Sequence, residues 1–307
     1  MSHGEFALIT RYFSAFGRGD GVELGVGDDA ALLTVPSGES LVVSVDTMLA
    51  GRHFPEDAFP EDIGLRAVAV AASDLAAMGA TPLGMTLSLT LPEADEGWLH
   101  PFSEGIGQAV REFALPLVGG DTTRGPLSIT VQVMGSVPQG GALLRSGARA
   151  GDLIYVSGTL GDAAAGLALL QAQWLPPEAH REFLVERYFR PQPRLTQGLS
   201  LRGIATAAID VSDGLLQDLG HIANASGCGM RIDAQRLPLS AALRTQPDRG
   251  QQLAWALTGG DDYELCVTAA RDARLPEAFT CIGEVVAGEG VFCAGAPEGL
   301  SPGYTHF

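Results

Sequence analysis

The chain contains no lysine; all 19 of its basic residues are arginine. That absence excludes a Walker-type phosphate loop, the lysine of protein kinases and Schiff-base chemistry together. A chain of this composition that handles phosphate must use backbone N–H groups, Arg, or metal ions held on carboxylates. Positive charge is scarce overall. With 36 acidic residues the formal net charge is −17, which argues against nucleic-acid and anionic-membrane partners, since both need basic surface. Cysteine is sparse too. Cys228, Cys266, Cys281 and Cys293 lie in the second half without CxxC spacing and read as reduced, mostly buried thiols. The six histidines form no HExxH or comparable metal pattern. No apolar run reaches the ~18 residues that span a bilayer; "VVSVDTMLAG" and "AVAVAASDLAAMGA" are both broken by Asp. The opening "MSHGEFALITRYF" lacks the order of a signal peptide, so a cytoplasmic location is expected.

What is present is a globular composition, 46% hydrophobic, in 307 residues, a length that suits two domains. Glu5 to Phe16 places Phe6, Ile9, Phe13 and Phe16 at helical spacing. Strand-like runs "VELGVGDDAALLTV" and "SLVVSVDTML" follow. A helix is expected from Pro60 to Met78, closed by Gly79 and Pro82. "LGMTLSLTL" alternates Leu83, Met85, Leu87, Leu89 and Leu91 on one face, as a half-buried strand does. Trp98 to Phe113 reads as a second helix, and "LPLVGG" and "LSITVQVMGSV" as strands. Pro138 to Asp152 shifts composition and is the expected linker. Beyond it come strand "LIYVSG", a helix from Asp162 to Gln173, and a Pro- and Arg-rich helical stretch to Arg202. Strand "TAAID", helix Leu215 to Ala225, a short helix near Leu253, strands "YELCVT" and "FTCIGEVV", and an irregular tail complete the chain. Mixed strands and helices in both halves point to two α/β or α+β domains.

The aspartates sit at strand ends and glycine turns inside apolar sequence: Asp28 and Asp29, Asp46, Asp74, Asp121, Asp210 and Asp213. Asp is an ordinary turn residue and helix N-cap, and Asp28 and Asp213 fit that plain reading. Asp74 fits it least. It stands in the last turn of its helix, where a negative charge opposes the macrodipole, with Val70, Ala71 and Met78 as neighbours. A carboxylate there needs a partner, no lysine exists to supply one, and a divalent cation is the economical answer. Asp46 closes an alternating apolar run, with His53 shortly after. Hard carboxylate oxygens without Cys or His clusters favour Mg²⁺ or Mn²⁺ over Zn²⁺. Acidic loops beside glycine N–H groups, as in "VGGDTTRGP", point to metal-bridged nucleotide phosphates.

"GEFALITRYF", "VELGVGDDAALL", "SVDTMLAGRHF", "SDLAAMGATP", "GGDTTRGPLSITV", "RSGARAGD", "IDVSDGLLQDLGHI" and "GGDDYELC" occur in that order. The ordered set resembles the thiamine-monophosphate kinase family of the aminoimidazole ribonucleotide synthetase superfamily, nearly end to end. The resemblance implies ATP-dependent phosphorylation of thiamine monophosphate to thiamine diphosphate, with a phosphate group as acceptor. It implies a two-domain α/β (α+β) fold: residues 1–140 as the ATP- and Mg²⁺-binding domain, dimerising into a barrel, and 150–307 as an α/β sandwich. By motif position Asp29, Ser44, Val45, Asp46, Asp74, Asp121, Asp210 and Asp213 would hold several Mg²⁺ ions. Gly120, Asp121, Arg145 and Ser212 would touch ATP, and His53, Asp261 and Tyr304 would face the thiamine substrate. No covalent nucleophile is implied, and a K⁺ requirement is left open. Two positions depart from the family: Val45 stands where Thr is common, so a contact there falls to the backbone carbonyl, and Asp261 shortens the usual Glu. Three alternatives remain at this stage: another superfamily member acting on a purine precursor or selenide, a GGDEF-like diguanylate cyclase, and a non-catalytic Mg²⁺- or nucleotide-binding homologue.

Overall fold

The computed structural model describes residues 5–300 and 303–304, with side chains from residue 7 onward. Gly4 and the Phe6 side chain of the opening motif lie outside these. The chain forms two compact units. One holds the residues up to Leu75 together with Ala80–Gly140; the other holds Ala76–Gly79 and the chain from Gly141. No helix among the described residues is long and apolar enough to cross a membrane.

The first unit opens with α1 (Glu5–Tyr12) and a separate 3₁₀ turn, Ser14–Phe16. The expected single helix to Phe16 is thus divided at Phe13, whose φ of −124° leaves the helical region. The expected strand "VELGVGDDAALLTV" is a small antiparallel pair, β1 (Val22–Leu24) and β2 (Leu32–Leu33), with Asp28 and Asp29 in the turn between them. The main sheet runs in the order β3 (Glu39–Leu49), β6 (Ser128–Pro138), β4 (Thr81–Leu91), β5 (Leu117–Arg124). Only the β4–β5 pair is parallel. On β4 the alternating Leu83, Met85, Leu87, Leu89 and Leu91 are all buried. Helices α2 (Pro60–Ala77) and α3 (Glu96–Phe113) approach closely at glycine. A Cβ on Gly64 would lie 2.4 Å from the Phe102 carbonyl oxygen, and one on Gly105 would lie 2.0 Å from that of Glu61. Asp95 caps α3 by accepting the Gly97 N–H at 2.9 Å.

In the second unit a six-stranded sheet runs β12 (Val291–Ala294), β9 (Gly229–Asp233), β11 (Phe279–Val286), β7 (Leu153–Ser157), β10 (Leu265–Ala269), β8 (Ala205–Asp210). Helices α4 (Asp162–Leu170), α5 (Arg181–Phe189), α6 (Leu195–Ser200), α7 (Leu215–Ser226) and α8 (Arg249–Thr258) complete it. One apolar cluster joins Ile154, Val156, Ile209, Leu219, Ile222, Ile232 and Ile282 across sheet and helices.

Several expectations are corrected here. Helix α4 stops at Leu170, because Ala172 turns left-handed at φ 55°. The Pro-rich helical stretch is α5 and α6, separated where Pro191 and Pro193 cannot supply helical N–H groups. The tail contains strand β12, pairing parallel with β9, itself a strand the sequence pattern does not mark. Met230 and Ile232 are the buried apolar side chains of β9, too short an alternation to stand out. Strand β10 begins at Leu265 rather than Tyr263, whose φ is +50°.

Candidate active site

The glycine stretch "VGGDTT" is strand, not loop. β5 continues through it to Arg124, with Gly120 opposite Leu87 and Asp121 opposite Ser88. Gly120 is required sterically: a Cβ there would lie 2.0 Å from the Leu87 carbonyl oxygen. The missing side chain lets β5 lie against β4 and leaves its own backbone open on the other side. That backbone borders a cavity of about 800 Å³, lined by Ile9 and Phe13, by Asp28 and Asp29, and by Gly119, Gly120 and Asp121. Asp28 spends one carboxylate oxygen on the Asp29 N–H at 2.8 Å, and Asp28, Asp29 and Asp121 are all exposed. The fold thereby gathers carboxylates from two distant segments around one opening.

A second group forms where β3 meets α2. Strand alternation puts Ser44 and Asp46 on one face of β3 and Val45 on the other. The Ser44 hydroxyl donates to Asp74 Oδ2 at 2.5 Å. Asp74 therefore has at least one protein hydrogen-bond partner, the neutral Ser44 hydroxyl. Burial, and then the nearby Asp74 charge, raise the Asp46 carboxyl to about 6. Two carboxylates and a hydroxyl form a hard-oxygen donor set suited to Mg²⁺. The Val45 side chain faces away and is exposed, so only its backbone shares the strand with these donors.

In the second unit the structure brings Ser212, Asp213, Asp261 and Tyr304 together through backbone hydrogen bonds, with Asp210 at the end of β8 just before them. The Ser212 carbonyl accepts the Asp261 N–H at 2.8 Å, and the Asp213 carbonyl accepts the Tyr304 N–H at 3.0 Å. The Val211 carbonyl accepts the Tyr263 N–H at 2.9 Å, and the Val211 N–H donates to the Glu264 carbonyl at 2.7 Å. Gln217 Nε2 donates to Asp213 Oδ2 at 3.0 Å and to the Tyr304 carbonyl at 2.9 Å. Asp261 and Tyr263 are both left-handed, at φ 59° and 50°, and the Tyr263 hydroxyl donates to Asp261 Oδ1 at 3.2 Å. Asp tolerates that backbone region better than longer side chains do, a local reason for the shortened residue at 261.

Three features here escape the sequence reading. Asp218 is buried, and its Oδ2 accepts three consecutive N–H groups, from Ser212, Asp213 and Gly214, at 3.1, 3.1 and 3.0 Å. Burial, then the charges of Asp210 and Asp213, raise its carboxyl to about 8 against those hydrogen bonds. Asp213, Asp218 and His221 also offer ligand atoms within 4.8 Å of one another, so a histidine stands beside the carboxylates without any HExxH pattern. The third feature is a buried ionic network under the 259–264 loop. Glu264 accepts from Ser157 Oγ at 2.5 Å, from Arg194 at 2.7 and 2.5 Å, and from Arg187 at 3.1 Å. Asp262 accepts the Gly161 N–H at 2.6 Å, ahead of α4. Asp218 was visible in "VSDGLLQDLG" as an acid in the first turn of a helix; the network's partners lie too far apart in the chain to form a motif.

His53 sits in the turn after β3, half-buried, with Nδ1 accepting the Leu49 N–H at 3.0 Å. Arg145 is exposed in the irregular segment before β7, its carbonyl accepting from the Ser226 hydroxyl at 3.2 Å.

With this geometry in view, comparison with known proteins is specific. Residues 27–137 match the family model for the AIR synthase related protein N-terminal domain, and residues 149–294 match that for the C-terminal domain. The Escherichia coli (strain K12) thiamine-monophosphate kinase is 50% identical over 323 aligned residues, covering 100% of this chain and 99% of that protein. The crystal structure of thiamine-monophosphate kinase from Stenotrophomonas maltophilia K279a is 48% identical, with a TM-score of 0.88 over 96% of this chain and 98% of that one. The structure of AaThiL complexed with AMPPCP and TMP is 33% identical, with a TM-score of 0.82 over 92% of each chain. The chain therefore has the two-domain AIR synthase-like fold and belongs to the thiamine-monophosphate kinase family.

Proposed function

We propose that this chain transfers the γ-phosphoryl group of ATP to the phosphate of thiamine monophosphate, releasing ADP and thiamine diphosphate, the last step in making that cofactor. The observation that carries the proposal is the grouping of lysine-free acidic side chains around open glycine backbone, in a chain half identical to a thiamine-monophosphate kinase. AaThiL, at 33% identity, was captured with AMPPCP and TMP.

The acceptor oxygen is already anionic, so transfer needs no strong general base and no phosphoenzyme. Catalysis of phosphoryl transfer is then alignment and charge neutralisation. In the first unit Asp29, Ser44, Asp46, Asp74, Asp121 and the Val45 carbonyl would hold Mg²⁺; in the second, Asp210 and Asp213 would. The donor set fits: hard oxygens throughout, and like charges at Asp46 and Asp74 that a cation relieves. Bound Mg²⁺ supplies neutralisation of the phosphate charge. The Gly120 backbone, freed by its steric fit to Leu87, approaches the nucleotide with Asp121, and Arg145 and Ser212 provide further ATP contacts. His53, whose Nδ1 accepts the Leu49 N–H, would face the thiamine side together with Asp261 and Tyr304.

The dimer that the family resemblance implies would form along β3. This edge strand exposes Leu41, Val43 and Val45 at 51%, 51% and 57%, an unpartnered apolar edge of the kind that pairs with a second copy. We place the enzyme in the cytoplasm, where ATP is available. ADP release by the purified protein with Mg²⁺ tests the central claim: release should depend on thiamine monophosphate and match thiamine diphosphate formed. Absence of substrate-dependent ADP sinks it, and nucleotide binding without product in a single turnover favours a non-catalytic homologue.

A further inference from the structure

We propose that Asp218 is a positioning residue that couples the cation-side loop at 210–214 to the substrate-side segments at Asp261 and Tyr304. This rests on the roles proposed above for Asp210, Asp213, Asp261 and Tyr304. One oxygen, Asp218 Oδ2, collects the N–H groups of Ser212, Asp213 and Gly214. Three successive amides pointing at one atom fix the peptide planes between them, and so fix the direction of the carbonyls on the opposite side of the loop. Those carbonyls are the ones that matter. Ser212 O holds the Asp261 N–H, and Asp213 O holds the Tyr304 N–H. The Gly260 position leaves no slack, since a Cβ there would lie 2.6 Å from Ser212 O. The carboxylate itself is fixed, because it is 2% exposed and sits on α7, whose Leu215, Leu219 and Ile222 enter the core. A displacement at residue 218 therefore reaches Asp261 through two hydrogen bonds joined by a single peptide plane, Asp213 N–H to Asp218 Oδ2 and Asp261 N–H to the Ser212 carbonyl.

The competing role is direct metal ligation, since Asp213, Asp218 and His221 lie close enough to share an ion. The two roles make opposite demands. Positioning needs an acceptor oxygen at Oδ2, which an amide supplies; ligation needs the negative charge, which an amide lacks.

Hydrogen–deuterium exchange of the metal-free protein reads the coupling without turnover. Asp218→Ser should speed exchange in 211–215 and also in 259–264, while β7 and β10 keep wild-type protection. Asp218→Asn should protect both segments as wild type does. Unchanged exchange at 259–264 in Asp218→Ser overturns the coupling. Mn²⁺ binding, followed by electron paramagnetic resonance, should be close to wild type in Asp218→Asn and weakened in Asp213→Asn; equal weakening in both makes Asp218 a ligand and overturns the proposal. In steady state, Asp218→Ser should raise KM for thiamine monophosphate by roughly 10–100-fold, the size of effect typical of residues that orient ligands from outside, and Asp218→Asn should restore it. Should Asp218→Ser fail to fold, the Asn variant decides: lost protection at 211–215 or 259–264 in folded Asp218→Asn counts against the proposal. If the wild type does not phosphorylate thiamine monophosphate, the substrate reading fails alone, because the exchange and Mn²⁺ measurements do not depend on it.

Discussion

Replacing Glu264 by Gln tests the ionic network beneath the 259–264 loop. The wild-type carboxylate is fully buried and accepts four hydrogen bonds, three of them from Arg187 and Arg194. Gln keeps the shape but removes the charge and one acceptor oxygen, leaving two guanidinium groups beside an amide. Breaking a buried ion pair from one side costs about 3–5 kcal/mol. The low end applies, because the Arg194 side chain is 24% exposed and can turn toward water. About 3 kcal/mol lowers Tm by about 6–12 °C in a domain of this size. Thermal unfolding by calorimetry measures the fall, and a cycle with Arg194→Gln isolates the pair: the double variant should lie well above the sum of the single losses. A Glu264→Gln Tm within about 1 °C of wild type refutes the reasoning, showing that desolvation of these groups cancels their attraction.

Asp74→Asn and Asp121→Asn should each lower turnover by about 100-fold or more, the several kcal/mol expected for a metal-held phosphate site, while keeping wild-type melting curves; near-normal rates at saturating Mg²⁺ in both would contradict the metal assignment. Asp262 gives a pH signature. Burial raises its carboxyl to about 8, with Asp162 adding and Arg187 and the Gly161 and Ala163 N–H groups opposing. The folded chain therefore keeps a proton that the unfolded chain releases near pH 4, so this group's contribution to stability falls as pH rises from about 4 to 8. Asp262→Asn should flatten that fall and gain on the wild type toward pH 8; parallel urea midpoints from pH 5 to 8.5 would disprove it. Val43→Arg, on the exposed β3 edge, should turn a dimer into a monomer by light scattering, and an unchanged mass rules out β3 as the interface.

Much of this protein was legible in the residues themselves. The missing lysines, with acids set in apolar sequence, turned attention to cations on carboxylates. Strict alternation in "LGMTLSLTL" marked the buried ladder of β4, because strand period is a local property. Helices α2, α3 and α7 were readable for the same reason. What tertiary structure decided is of another kind. Whether "VGGDTT" was loop or strand depended on the space beside Leu87, which local composition does not encode. That Asp74 has a serine partner, that Asp218 grips residues 212–214, and that Glu264 binds two arginines from other helices all follow from how distant segments pack. Side-chain period reports which face is buried. It carries no record of which polar groups from elsewhere in the chain meet there.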